Sequence, residues 1–379
     1  MKYDFDEVVE RRGTDSCKWG KYRGRDVLPM WVADMDFRSP PEVVAALGER
    51  VAHGIFGYAA PPEGLGEVVV KWMAERYGWA IREEWIVWLP GLVGGLNMAC
   101  RSVGEAGDEV ATFVPVYPPF LSAPGLAGRK LVRVPLGRAG GRYVAEAERL
   151  AEAVTERTKL LLWCHPHNPV GRAFSREEVA AIVRVCMERG IVICSDEIHC
   201  DLILDEVGHV PTAELGEEVA ARTITLMAAS KTFNVAGLNC ALAIVPDEGL
   251  RRRFTAAGRG IVPEVNALGY AGSLAAFREG EPWRRALIEY LRGSRDMVEE
   301  AVGEMKGVRM DRVEATYLAW IDARELGMAE PAAFFEEAGV GLSDGRDFDG
   351  AGFVRLNFGC PRVVLAEGLE RMKRAVGKK

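Results

Sequence analysis

The chain has no apolar run approaching the ~18 residues of a membrane-spanning helix, no long basic tract, no internal repeat and no CxxC pair. Each absence removes a class of function. With Lys+Arg 48 against Asp+Glu 55 and a net charge of −7, the electrostatic footprint of a nucleic-acid surface is missing. The eight cysteines are scattered, several inside apolar runs such as "VICSDE", and read as reduced core residues of a cytoplasmic protein rather than a disulfide framework. The opening "MKYDFDEVVERRG" alternates charges around no apolar centre, so it is not expected to act as a secretory signal. These features predict a cytoplasmic protein that acts on neither nucleic acid nor membrane.

What is present is ordinary globular material, 49% hydrophobic and 27% charged. At 379 residues it exceeds one compact core, and two domains are expected. From about residue 85 to 246, short apolar runs ("EVATFV", "KLLLWC", "GIVICSD", "TITLMAA", "ALAIVP") alternate with amphipathic segments. Runs that are apolar throughout suit strands covered on both faces, in a largely parallel sheet. Between two of them, Ser175 and Glu178 form a capping-box pair. Val179, Ile182, Val183, Cys186 and Met187 then share a helical face, and Gly190 closes the helix. Strand, helix, strand is the α/β pattern, whose ligands sit beyond the carboxyl ends of the strands. Residues 247–305 look helical, and "GVRMDRVEATYLAWIDARE" and "FVRLNFGCP" read as strands of a second, α+β unit. The division expected is a large α/β domain over residues 46–280, with residues 1–45 and 281–379 joining in a smaller α+β domain.

Three polar residues fall where consecutive strands end. Asn168 follows "KLLLWC", Asp196 follows "GIVIC", and Lys231, in "AASKTFNVAGL", follows "TITLM". A lysine emerging from a buried strand into a crevice is a candidate nucleophile, because desolvation frees its amine. An amide, a carboxylate and an amine at one sheet edge form the set that pyridoxal phosphate chemistry requires. A rival reading uses the HxH pair His165 and His167, with Asp196, Glu197, His199 and Asp201 nearby, as metal ligands. Pro166 interrupts that pair, and the chain holds only five histidines in all. The glycines of "GLVGGLN" do not fit the GxGxxG dinucleotide loop.

The motif order "LPMWVADMDF", "GYAAPPEGL", "PVYPPF", "PHNPVGR", "SDEIHCDL", "SKTFNVAGL", "FVRLNFGCPR" resembles, nearly end to end, the MalY/PatB-type cystathionine β-lyases, or C–S lyases. These are fold-type-I pyridoxal phosphate enzymes of the aspartate aminotransferase superfamily. The resemblance implies a mostly parallel central sheet between helices, pyridoxal 5′-phosphate as cofactor, and a small amino-acid substrate. It also implies a homodimer with shared active sites. The activity implied is β-elimination of a thiol from L-cystathionine or a related cysteine S-conjugate, with a class I/II aminotransferase as the alternative.

By the same resemblance Lys231 would bind the cofactor and later take the substrate's Cα proton. Asp196 would pair with the pyridine nitrogen, Asn168 with the phenolic oxygen, and Tyr117 would stack on the ring. Lys231 and Tyr117 are thus the catalytic candidates, and Asn168 and Tyr117 would also meet substrate. The backbone amides of Leu92 and Val93, after Gly91, would hold the phosphate at a helix N-terminus, helped by Ser230. Tyr58 would reach the neighbouring subunit's phosphate, and Arg355 would clamp the substrate carboxylate. His199, Asn239 and Ala228 stand where many aminotransferases carry tyrosine, arginine and serine, and "DEIH" agrees with the lyase branch. Residues 28–37 and the stretch near 120 are expected to line the substrate pocket.

Overall fold

The computed structural model describes residues 3–378. Residues 1, 2 and 379, which belong to the terminal segments assigned above, lie outside them.

The apolar runs form a seven-stranded sheet. Its strands in chain order are β1 (Ile86–Leu89), β2 (Glu109–Val114), β3 (Lys130–Pro135), β4 (Thr158–Cys164), β5 (Val192–Asp196), β6 (Thr223–Met227) and β7 (Ala241–Ile244). In space they run β1-β7-β6-β5-β4-β2-β3. The five from β6 to β3 are mutually parallel. "ALAIVP" departs from them, because β7 is antiparallel to both β6 and β1. The link from Met227 to Ala241 holds only the single helical turns Ala229–Thr232 and Ala236–Leu238, with no full helix to carry a parallel crossover. The strand β3 lies outside the apolar runs named above. Its residues are mostly exposed or half-buried, which gives a weak sequence signal.

The parallel strands are apolar throughout because both faces are covered. Leu160 and Leu162 of β4 pack on one side, while Leu161 and Trp163 pack on the other. The capping-box helix forms over Arg176–Glu188. The Ser175 side chain accepts from the Glu178 N–H while Glu178 returns a bond to the Ser175 N–H. Gly190 follows in the left-handed region at φ +67°, a conformation that stops a helix without a Cβ penalty.

A second, four-stranded antiparallel sheet is built from β8 (Arg309–Met310), β9 (Leu318–Asp322), β10 (Ser343–Asp344) and β11 (Phe353–Asn357), in the order β8-β9-β11-β10. The stretch from 307 to 325 thus yields two short strands, with residues 311–317 irregular between them. Those residues are held elsewhere: Glu314 and Ala315 donate backbone N–H groups to the Gly171 carbonyl on the large sheet's side. The N-terminal segment crosses between the two sheets. Leu28 and Pro29 pair in parallel with Val340 and Gly341, and the Met35 N–H bonds the side chain of Asn234. Among the described residues no helix is long and apolar enough to cross a membrane.

Candidate active site

Neighbouring parallel strands bring their ends together. Cys164 at the end of β4 pairs with Asp196 at the end of β5, and Asp196 pairs with Leu226 of β6. The chain leaving each strand therefore delivers Asn168, Asp196 and Lys231 to one carboxyl edge. All three line a cavity of about 820 Å³, together with Tyr117, His199, Ser230, Arg355, Leu92 and Val93.

After β6 the backbone makes one extended residue, Ala228, and a four-residue helical turn, Ala229–Thr232, which projects Lys231 inward. Asn234 follows at φ +56°. Its side-chain amide donates to the carbonyls of Met35 and Phe37, fixing the 33–37 segment across the site. The Lys231 amine donates to the Ala33 carbonyl at 2.6 Å, and the Tyr317 hydroxyl donates to the same oxygen. Burial pulls the lysine's pKa down to about 8, and the nearby Arg355 charge adds to the effect while Asp34 and Asp196 oppose it. Part of this amine is therefore uncharged near neutrality, which a base or nucleophile requires.

Asp196 is buried, and among the described residues its carboxylate accepts one hydrogen bond, from the Ile198 N–H at 3.2 Å. Burial raises its pKa to about 7. The Ile198 bond opposes that rise, and neighbouring Glu197 adds to it. A cationic ring N–H is the kind of group this carboxylate lacks. His199 lies in the same wall, its Nδ1 without a hydrogen-bond partner. Burial, reinforced by the Lys231 and Arg355 charges, depresses its pKa to about 3, so the imidazole is neutral.

Arg355, on β11 of the second sheet, enters from the opposite side. It donates to Asn168 Oδ1 at 2.9 Å, to the Trp31 carbonyl at 2.9 Å and to Ser343 Oγ at 3.3 Å, and lies 4.6 Å from the Phe348 ring centre. Its Nε is buried without a partner. Burial lowers its pKa to about 10, which still leaves it cationic at neutral pH. The arginine therefore carries a full charge in the site with no carboxylate bonded to it among the described residues. Asn168 spends its oxygen on Arg355, leaving its NH₂ as a donor.

The helix Leu92–Ser102 opens on the cavity from Gly91 without a side-chain cap, so its first N–H groups are free for an anion. Leu92 is buried and Val93 is exposed at the rim, but the expectation for both concerned only backbone amides. Tyr58 is not brought to this cavity; its side chain is fully exposed. Of the two stretches expected to line the pocket, 28–37 contributes Trp31, Val32 and Ala33. Near 120, Pro118 lines it while Phe120 lies in the core.

The rival histidines serve packing. The His167 ring bridges the Cys164 and Pro115 carbonyls, and the His165 ring lies tilted at 4.6 Å against that of His209, itself bonded to Glu197. No group of three or more potential metal ligands occurs among the described residues. The carbonyls of Trp31 and Ala33 were missed as site groups, since backbone acceptors leave no mark in a sequence. Their neighbour motif "LPMWVADMDF" was the signal available.

Residues 25–372 match the family described as aminotransferase class I and II. The chain belongs to that family. It is 38% identical to the cystathionine beta-lyase PatB of Bacillus subtilis, over 98% of this chain and 100% of that protein. Among solved structures, OvoB superposes with a TM-score of 0.97 at 46% identity, covering both chains completely. Cystalysin from Treponema denticola, which contains pyridoxal 5′-phosphate, superposes at 0.95 with 32% identity, also over the whole of both.

In this member of the aminotransferase class I and II family the residues fit that cofactor. The buried carboxylate of Asp196 has one backbone donor and no cation bonded to it. The helix N-terminus at Leu92 offers uncapped N–H groups. The amine of Lys231 shares the cavity with both.

Proposed function

We propose that the protein is a pyridoxal phosphate-dependent carbon–sulfur β-lyase of the cystathionine β-lyase type, cleaving L-cystathionine or related cysteine S-conjugates. The observation that carries this reading is the end-to-end likeness to PatB, joined to a cavity where a partly neutral lysine faces an unpaired arginine.

Pyridoxal phosphate, when bound, supplies an electron sink for the pair left at the substrate's Cα. Lys231 would hold the cofactor and, as free amine, would take the Cα proton; its lowered pKa suits that exchange near neutrality. Asp196 would keep the ring nitrogen protonated, and Tyr117 would pack on the ring. The NH₂ of Asn168 and the neutral His199 would serve as donors to the phenolic oxygen. The backbone of Leu92 and Val93, with Ser230, would take the phosphate. Arg355 pairs with the substrate α-carboxylate and fixes which substituent of Cα faces Lys231. In balance, the Cα–H and Cβ–S bonds break, a thiol leaves, and addition of water to the remaining fragment yields pyruvate and ammonia.

The fully exposed Tyr58 belongs with Ile55, Phe56, Val93 and Ile261 among the large apolar side chains left on the surface. They support a homodimer in which the partner subunit's Tyr58 completes the phosphate site. Eight cysteines without a disulfide among them agree with a cytoplasmic setting.

The test is to give cofactor-loaded protein L-cystathionine with no keto-acid acceptor and quantify pyruvate and free thiol together. Equal, continuing release of both is expected. Turnover that appears only when a keto acid is added would make the protein an aminotransferase instead.

A further inference from the structure

The peptide segment that crosses the site has its carbonyls held by side chains rather than by a sheet. Asn357 donates to Val32 and Asp34, and Asn234 donates to Met35 and Phe37. None of those bonds involves a group that the proposed chemistry moves. The Ala33 carbonyl differs. It accepts from the Lys231 amine at 2.6 Å and from the Tyr317 hydroxyl at 3.0 Å. Among the described residues it is the one hydrogen-bond acceptor of that amine. A lysine that alternates between cofactor and free amine has to break and remake this bond.

Tyr317 does not have to move. Ala33 and Lys231 line the cavity, whereas Tyr317 is 1% exposed behind them. Its ring centre lies 6.2 Å from that of His199, the two rings nearly perpendicular. Thr316 before it stands at φ +77°, where a β-branched residue is strained. The Thr316 N–H bonds the Leu202 carbonyl, and the Leu318 N–H bonds the Thr316 hydroxyl, so that conformation is held from both sides. Burial, with Asp34 nearby, pushes the Tyr317 pKa up, so the hydroxyl keeps the proton it donates.

We infer that the Ala33 carbonyl is the holding point of the free Lys231 amine, and that Tyr317 is a positioning residue which keeps this oxygen bonded while the lysine is on the cofactor. With the hydroxyl present, the oxygen always has a donor. Without it, the oxygen has one only when the lysine is free. Tyr317 therefore shifts the balance toward lysine on the cofactor. The inference rests on the Lys231 role proposed above, and on nothing that separates a lyase from an aminotransferase.

Tyr317→Phe tests it with two dissociation constants and a melt. The cofactor-free variant should melt nearly as the unaltered protein does, because Lys231 still serves the oxygen. Its Kd for pyridoxal phosphate, read by visible absorbance, should rise about tenfold, the loss of one hydrogen bond. Its Kd for L-alanine at saturating cofactor should fall by a similar factor, because binding that amine returns Lys231 to Ala33. The opposite signs are what a structural role could not give. Asn357→Ala, which strips the Val32 and Asp34 carbonyls, should lower the melt and produce no such opposition. If both constants of Tyr317→Phe rise together, if neither moves, or if its melt drops as far as that of Asn357→Ala, the inference is overturned. L-Alanine has no thiol to lose, so this result stands even where L-cystathionine yields no pyruvate and the lyase reading falls.

Discussion

Two buried carboxylates, Asp36 and Asp196, lie in the same molecule at nearly equal exposure, 6% and 5%. Asp36 accepts from Lys18 at 2.7 Å, from Arg11 at 2.6 Å and from the Trp19 indole at 2.9 Å. Burial would raise its pKa, but Lys18, Trp19 and Arg11 outweigh that and hold it below the usual 3.8. Asp196 has one backbone N–H and is pushed the other way, to about 7. Burial is the same in both; what differs is whether the fold supplies the counter-charge. At Asp36 the fold completes the ion cluster and uses it to anchor the N-terminal segment. At Asp196 that place is left for something the chain does not encode.

The largest effect should come from the group most fully given over to chemistry. Lys231→Ala is expected to lower pyruvate release by on the order of 10⁴-fold or more, with little loss of thermal stability, since it removes an amine that burial disfavours. Equal loss of stability and activity would mean that Lys231 is structural. The comparison itself is broken or upheld by Asp36→Asn beside Asp196→Asn. The first leaves Lys18, 1% exposed, with only the more distant Asp34 at 3.6 Å as countercharge and should cost about 3–5 kcal/mol in urea unfolding. The second should leave unfolding almost unchanged while turnover drops on the order of 10²-fold or more.

Titration separates the same pair. In the cofactor-free protein, folded Asp196 keeps its proton up to about pH 7, whereas the unfolded chain releases it near 3.8. The folded form binds more protons between those values, so this group's contribution is present below about pH 4 and is lost as pH rises to 7. Lys231 runs opposite at higher pH. Folded it loses its proton at about 8 and unfolded at 10.5, so its contribution is full above 10.5 and is lost as pH falls to 8. Asp196→Asn should remove the decline between pH 4 and 7 and leave the rise above pH 8. Asp36→Asn should leave both in place. Denaturant melts across that range read all three outcomes.

Arg355→Lys should come next in size. It keeps the charge but loses the planar fork that bonds Asn168, Trp31 and Ser343. A fall of about 10- to 100-fold in kcat/KM, mostly through KM, is expected. An unchanged KM would move the carboxylate clamp elsewhere.

What was legible in the sequence follows from how each group is held. Asn168, Asp196 and Lys231 follow apolar runs long enough to read as buried strands, and parallel order alone puts such strand ends on one edge. The helix after Ser175 announced itself through side chains that cap their own backbone. The Trp31 and Ala33 carbonyls did not, because they act through peptide oxygens positioned by Asn234, Asn357 and Ser343 across hundreds of residues of chain. The antiparallel direction of β7 was equally hidden: an apolar run reads the same whichever way it is traversed.

The smallest effects should fall on two histidines that divide as the two aspartates do. His209 donates to Glu197, which also accepts from Ser195 and from the Thr212 N–H, making a closed set one residue from Asp196. Both rings leave Nδ1 without a partner, but among the described residues His199 has no such carboxylate bond, and it lines the cavity that holds Asp196 and Lys231. His209→Asn leaves a fully buried carboxylate one donor short and should cost about 1–3 kcal/mol, with activity reduced little. His199→Asn leaves no stranded partner, so stability should stay within about 1 kcal/mol while turnover falls roughly tenfold through loss of a contact to the cofactor. If the stability loss instead followed His199, the rule drawn from the aspartates would fail at smaller scale. Unpaired burial would then mark loose packing rather than a site.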